Sequence, residues 1–173
     1  ITTVGTDPIS EETVVHELGH QWFANSLTVT KWGDVWLHEG FARYIEALWL
    51  EKTQGVEAYN ELIKAQYQEQ LDNPTNLPSA LGLSPLPEGQ VVPPVGQPIE
   101  WLYFSSYTGG ALALHNLRME VGDELFFKIL PTFYQRHANG SATTADFITT
   151  AEEISGRDLS GWADTWLYSS TIP

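Results

Sequence analysis

His16-Glu17-Leu18-Gly19-His20, answered nineteen residues later by Glu39, is the stretch around which the rest of the chain is organised. Residues i and i+4 share one face of a helix, so His16 and His20 can aim both imidazoles at one point. Two neutral imidazoles and a carboxylate make a three-ligand set with a fourth position open, the form taken by catalytic zinc. Glu17 stands beside the first of these residues, where a carboxylate can take a proton from water at the metal. The residues therefore imply one Zn2+ per chain, held by His16, His20 and Glu39, and the apparatus of a zinc hydrolase. The bland alternative is a helix carrying two packed or solvated histidines and a surface glutamate.

The flanking sequence weighs against that alternative. Ser10 ahead of Glu11 and Glu12 reads as an N-cap with an acidic first turn, predicting a helix from there to about Asn25. A second helical pattern begins near Val35, with Leu37, Phe41, Tyr44, Ile45 and Leu48 at helical spacing. Between them Lys31-Trp32-Gly33-Asp34 reads as a turn, with Asp34 as N-cap of the second helix. At ~1.5 Å rise per residue, His20 then lies ~7 Å before the end of the first helix, and Glu39 ~6 Å inside the second. Antiparallel packing brings Glu39 level with the histidines.

His16-Glu17-Leu18-Gly19-His20-Gln21-Trp22-Phe23 and Trp36-Leu37-His38-Glu39-Gly40-Phe41-Ala42 resemble the aminopeptidase N-like family of zinc metallopeptidases, in the gluzincin clan. The family pattern is His-Glu-x-x-His, eighteen residues, then Glu, and residues 21–38 fill that gap. The resemblance is strongest over residues 14–50 and continues more weakly to the C-terminus. It implies a zinc-dependent aminopeptidase, a hydrolase removing N-terminal residues from peptides, with Glu17 as general base. It also implies a tyrosine that donates to the oxyanion, from a Tyr-x-Lys-Gly segment. Tyr107-Thr108-Gly109-Gly110 falls in the matching place, with Gly109 where the family has lysine. Tyr107 as an ordinary packing tyrosine is the competing reading.

The rest of the chain reads almost entirely as helix. Gly55 separates the second helix from a third carrying Val56, Tyr59, Ile63 and Tyr67. Residues 73–98 hold seven prolines and three glycines, which predicts an extended loop, either bordering the substrate cleft or an inert insertion. Helical pattern resumes near Tyr107 and stops at Gly122. Asp123 is the expected cap of the next helix, whose core positions are Phe126, Ile129, Leu130 and Phe133. Thr143-Thr144-Ala145-Asp146 has the form of a capping box, Gly156 ends that helix, and Asp158 is expected to start a last one with Leu159, Trp162, Trp166 and Leu167. No alternating strand is apparent.

In the resembled family the catalytic domain is thermolysin-like, a β-rich lobe followed by a helical lobe, with zinc between. The expectation for residues 1–173 is the helical lobe alone, with the β-rich lobe and the family's Gly-x-Met-Glu-Asn exopeptidase motif lying upstream in a longer protein. The partners implied are a peptide substrate and that upstream lobe. Two other readings use the same residues: a zinc endopeptidase, and a non-catalytic scaffold that keeps the zinc. The intact Glu17 argues against the scaffold, which has no use for a general base.

Composition sets further bounds. With 42% hydrophobic and 12% aromatic residues the 173-residue chain can bury a core as one domain. A net charge of −14 disfavours nucleic acid and anionic membrane as partners. Cysteine is absent, so neither disulfides nor thiolate zinc sites arise, and the compartment is open between cytoplasmic and secreted. No apolar run approaches the ~18 residues of a membrane span.

Several single residues bear on the site. Glu46, seven residues after Glu39 and on the same helix face, can accept a hydrogen bond from a ligand histidine; a solvated glutamate is the alternative. His38 points ~100° away from Glu39 around the helix and is not expected to be a ligand. His115 is expected to pack within its helix and His137 to lie at a helix end. Asn139-Gly140-Ser141 has the form of a glycosylation acceptor. Most of the seven tryptophans are expected in the core, and Trp101, Tyr103 and Phe104 are candidates for a side-chain pocket.

Overall fold

The computed structural model describes residues 9–72, 91 and 105–169. The elements in chain order are α1 (Glu11–Gly19), β1 (Leu27–Val29), a 3-10 turn (Trp32–Asp34), α2 (Trp36–Gln54) and α3 (Val56–Asp72). A π-helical turn (Ser105–Gly109) leads into α4 (Gly110–Val121), followed by α5 (Asp123–His137), β2 (Gly140–Ala142) and α6 (Thr144–Ser155). A single turn, α7 (Ser160–Ala163), then widens into a second π-helical turn (Asp164–Tyr168). Most of the predicted 73–98 loop lies outside the described residues, as do Trp101, Tyr103 and Phe104.

α2 is the central helix. It packs on α1, α3 and α4, and an aromatic cluster grows from its first two turns. Phe41 meets Phe133 of α5 and Phe147 of α6 at centroid distances of 6.2 and 5.4 Å, and Trp36 meets Phe147 edge-on at 5.5 Å. All four rings are essentially buried. Phe126, Ile129 and Phe133 line the buried face of α5 as their spacing predicts, while Leu130 is only partly buried.

Glycine decides how closely the helices cross. A Cβ on Gly40 would lie 2.8 Å from the Gly110 Cα, so α2 and α4 touch backbone to backbone at that pair. A Cβ on Gly19 would come within 3.3 Å of the Ala42 Cα, so α1 and α2 also approach closely. Both crossings fall within three residues of Glu39.

Local capping follows the sequence in two places. Ser10 caps α1 by accepting the Thr13 N–H at 3.2 Å. At α6, Thr143 and Asp146 form a reciprocal capping box, and Gly156 closes the helix in the left-handed region at φ 67°.

Elsewhere the structure corrects the reading. α1 stops at Gly19 and does not run to Asn25; the Asn25 N–H turns back to the His20 carbonyl, and the chain leaves the helix to bury Phe23 and Leu27. Two strands exist that no alternation announced. β1 and β2 pair in parallel, Leu27 opposite Gly140 and Val29 opposite Ala142. Three residues are too few to display a period of two.

Asp34 does not cap α2, whose N-cap residue Val35 makes no side-chain bond. Its buried carboxylate instead accepts the Thr144 hydroxyl at 2.6 Å and the Thr144 N–H at 3.2 Å, tying the start of α6 to the start of α2. The same hydroxyl accepts the Trp36 indole N–H at 2.9 Å. Asp123 is likewise no cap. Gly122 holds that position, and the Asp123 carboxylate accepts two bonds from Arg118 at 2.8 and 2.9 Å. Of the described tryptophans, Trp36 and Trp162 are buried and Trp166 packs partly buried against the core, while Trp22, Trp32 and Trp49 are 44–63% exposed.

Candidate metal centre

His16 sits in the second turn of α1, and His20 is the residue on which that helix ends. Glu39 belongs to the first turn of α2, and the close approach at Gly19 sets it opposite the histidines. The three bring one ligand atom each to within 4.8 Å of one another, the single such cluster of three or more among the described residues. His38, adjacent in sequence, is not part of it, and its buried Nε2 has no hydrogen-bond partner.

The three ligand-type atoms lie close enough together to share one small ion. His16 Nε2 and His20 Nε2 are 3.1 Å apart, and they lie 3.4 and 3.3 Å from Glu39 Oε2. Bonds of ~2.0–2.2 Å to a tetrahedral zinc put neighbouring ligand atoms about 3.3–3.5 Å apart. The other ring nitrogens are committed elsewhere: His16 Nδ1 to Glu46 Oε1 at 2.7 Å, and His20 Nδ1 to the Phe23 carbonyl at 3.1 Å. Both acceptors require the proton on Nδ1, which leaves each neutral ring with an Nε2 lone pair facing the carboxylate. Three acceptor atoms that converge in this way can share a cation or, in its absence, protons.

Without a metal, protons are the substitute. Burial opposes a charged His16, but Glu39 and Glu46 outweigh it and lift its pKa to about 9. Burial also opposes the charged form of His20, and Glu39 with the Phe23 carbonyl raises it nonetheless. Glu39 would be raised by burial, yet hydrogen bonds from His16, His20 and Tyr107 hold it down at about 2.

Tyr107 reaches the cluster from the π-helical turn before α4. Its ring lies parallel to that of His16, within 2° and at a centroid distance of 5.7 Å, and its side chain is one of the groups that lower the Glu39 pKa. The Gly40–Gly110 contact presses this turn against the start of α2. Beside the cluster opens a cleft of about 500 Å³, lined by Ser10, Glu12, Thr13, His16, Glu17, Arg43, Glu46, Glu69, Tyr107 and Thr108. His16, Glu17 and Tyr107 thus line one cleft, with His20 and Glu39 in the cluster beside it. Glu46, read from sequence as a partner for a ligand histidine, bonds His16. His115 packs against α3, its Nδ1 2.7 Å from the Tyr59 hydroxyl, and His137 ends α5 as expected.

Sequence reasoning passed over Arg43, Glu69 and Thr108. Arg43 had a signal, being one turn after Glu39 and three residues before Glu46 on the same helix. Thr108 had one too, following Tyr107 in the quoted segment; Glu69 had none, since only the packing of α3 against the π-helical turn brings it to the cleft.

Residues 5–166 match the sequence profile of the Peptidase family M1 domain. The chain is 32% identical over 168 residues to aminopeptidase N of Streptomyces lividans, and 33% identical over 165 residues to aminopeptidase N of Lactococcus lactis subsp. lactis. Each alignment covers 92% of this chain and 18% of the relative, so the chain spans under a fifth of their length. The fold superposes on the M1 zinc metallopeptidase of Deinococcus radiodurans with a TM-score of 0.78 at 29% identity, covering 95% of this chain and 34% of that one. Another crystal structure of the Deinococcus radiodurans protein holds a Tyr-Ser-Ala substrate. Yeast LTA4 hydrolase shares the fold, with a TM-score of 0.77 at 20% identity over 94% of this chain and 26% of that one. The chain belongs to peptidase family M1, and its architecture is that of the helical part of the M1 zinc metallopeptidases.

Proposed function

We propose that this chain is the helical, metal-bearing lobe of a zinc aminopeptidase, with one zinc per chain on His16, His20 and Glu39. The observation that carries the reading is the set of three converging acceptor atoms at coordination spacing, with Glu17 and Tyr107 on the adjoining cleft. Bound zinc supplies Lewis acidity and makes a nucleophile available from water at neutral pH. The chain's own groups do the rest. Glu17 accepts a proton from the attacking water and hands it to the leaving amine. Tyr107 turns its hydroxyl from Glu39 to the oxygen that gains charge as the peptide carbonyl is attacked. Its place beside Glu39 supports that role, and Gly109 stands where the resembled family has lysine.

The peptide lies in the cleft, between this lobe and a β-rich lobe of the same, longer protein, where the free amino terminus is held. The names of the relatives and the tripeptide bound to the Deinococcus radiodurans protein support a peptide substrate and removal of its first residue. No helix among the described residues is long and apolar enough to cross a membrane. The test compares hydrolysis of a peptide with a free amino terminus and its N-acetylated form by the product of the complete gene. The expected result is cleavage of the free form alone, lost with chelator and restored by zinc. Equal cleavage of both would make the protein an endopeptidase, and none from either with zinc bound would leave a scaffold.

A further inference from the structure

We propose that Arg43 is a positioning residue for the metal centre, acting on His16 through Glu46. The inference rests on the proposed zinc site and concerns what holds its first ligand in place. Glu46 is a buried carboxylate, 6% exposed, and each of its oxygens has one partner. Oε1 accepts from His16 Nδ1 at 2.7 Å, and Oε2 accepts from Arg43 Nη1 at 2.6 Å. A carboxylate held at one oxygen can still swing about its last torsion, which is broad and two-fold. Held at both, it is fixed, and the imidazole bonded to it is fixed in ring orientation and tautomer.

Arg43 is itself braced. It lies three residues before Glu46 on α2, and its Nη2 is 4.0 Å from Glu69 of α3. The series Glu69, Arg43, Glu46, His16 therefore runs from α3 across α2 to α1. The commonplace account of Arg43 and Glu46 is an i,i+3 pair on a helix surface, contributing little to stability and indifferent to metal. The burial of Glu46 and its bond to a ligand imidazole separate the two accounts. An exposed pair would melt with the helix; this one sets the direction of a lone pair.

The test is a zinc titration against a competing chelator on the chain and its Arg43→Met, Arg43→Lys and Glu46→Gln variants. Each is also melted in chelator to read metal-free stability. Glu46→Gln should weaken zinc binding by ~10–100-fold, the usual cost of losing a partner behind a ligand, and Arg43→Met should weaken it several-fold, within that limit. Arg43→Lys should recover part of this, since an ammonium offers a donor without the planar fork. In a Glu46→Gln background, Arg43→Met should cost no more than two-fold, because its route to His16 is already cut. A zinc affinity for Arg43→Met within two-fold of the parent overturns the proposal, and so does a full additional loss in the Glu46→Gln background. If Arg43→Met does not fold, Arg43→Lys decides: weaker zinc with an unchanged metal-free melt supports the role, and unchanged zinc refutes it. Failure of the parent chain to bind zinc at all is a distinct result, which removes the metal site and this inference with it.

Discussion

Gly40 and Gly110 touch backbone to backbone: a Cβ on either would lie 2.8 Å from the Cα of the other. This contact joins the two pieces of chain that carry Glu39 and Tyr107, and its consequences can be measured. Alanine in a helix interior is intrinsically better than glycine by up to ~1 kcal/mol. Here the added methyl meets backbone that cannot swing aside, and overpacking of this kind costs ~1–3 kcal/mol. The clash wins. Gly110→Ala should lower stability to denaturant, and it should lower turnover of the complete protein by more than it lowers zinc content. A stabilised, fully active variant would show that the crossing is slack.

Glu17→Gln separates metal binding from chemistry. The substitution keeps shape and leaves His16, His20 and Glu39 untouched, so zinc content should be unchanged. Turnover of the complete protein should fall by ~100-fold or more, the scale of a lost general base. Near-normal turnover would assign the proton transfer to another group.

Tyr107→Phe removes one hydroxyl and keeps the ring stacked on His16. Zinc content and melting should hold, and turnover should fall by ~10²–10³-fold, as for loss of one oxyanion donor. A change of only a few-fold would return Tyr107 to a packing role.

The candidate ligand set was legible because its residues are set by local spacing. His16 and His20 are one turn apart, and the eighteen-residue gap to Glu39 is a property of the chain alone. The path between them was not. Alignment of Glu39 with the histidines was expected from a helix running to Asn25, yet His20 is where α1 ends, and the level is set by small residues at Gly19, Ala42, Gly40 and Gly110. Asp34 looked like a helix cap because aspartate before a helical pattern usually is one, and its bond to Thr144, 110 residues away, is a tertiary fact. The short β1–β2 pairing has the same origin, a register between residues 27–29 and 140–142 that no local pattern encodes.

Asp34 offers a stability test apart from the metal. Asp34→Ala strands the Thr144 N–H and one bond of its hydroxyl in the core, at a cost of ~1–3 kcal/mol for unsatisfied buried groups. Urea unfolding should read that loss, with zinc affinity unchanged. A neutral outcome would mean that water replaces the carboxylate there.

The pH dependence of the metal-free chain has a definite sign. The folded-state pKa of His16 is raised from 6.5 to about 9, so its contribution to stability is fully present below about 6.5 and is lost as pH rises through about 9. In chelator, stability should fall across that window. Zinc displaces the proton, so its affinity should climb over the same range and the fall should vanish in the loaded chain.

The most direct measurement is metal content against ligand identity. The chain, purified without added metal and then equilibrated with zinc, should hold one zinc by elemental analysis. Glu39→Gln and His20→Ala should each lose it while α1 and α2 remain folded by circular dichroism. Zinc that stays bound at full stoichiometry in both variants, or a folded parent chain that takes up none, would contradict the assignment of His16, His20 and Glu39.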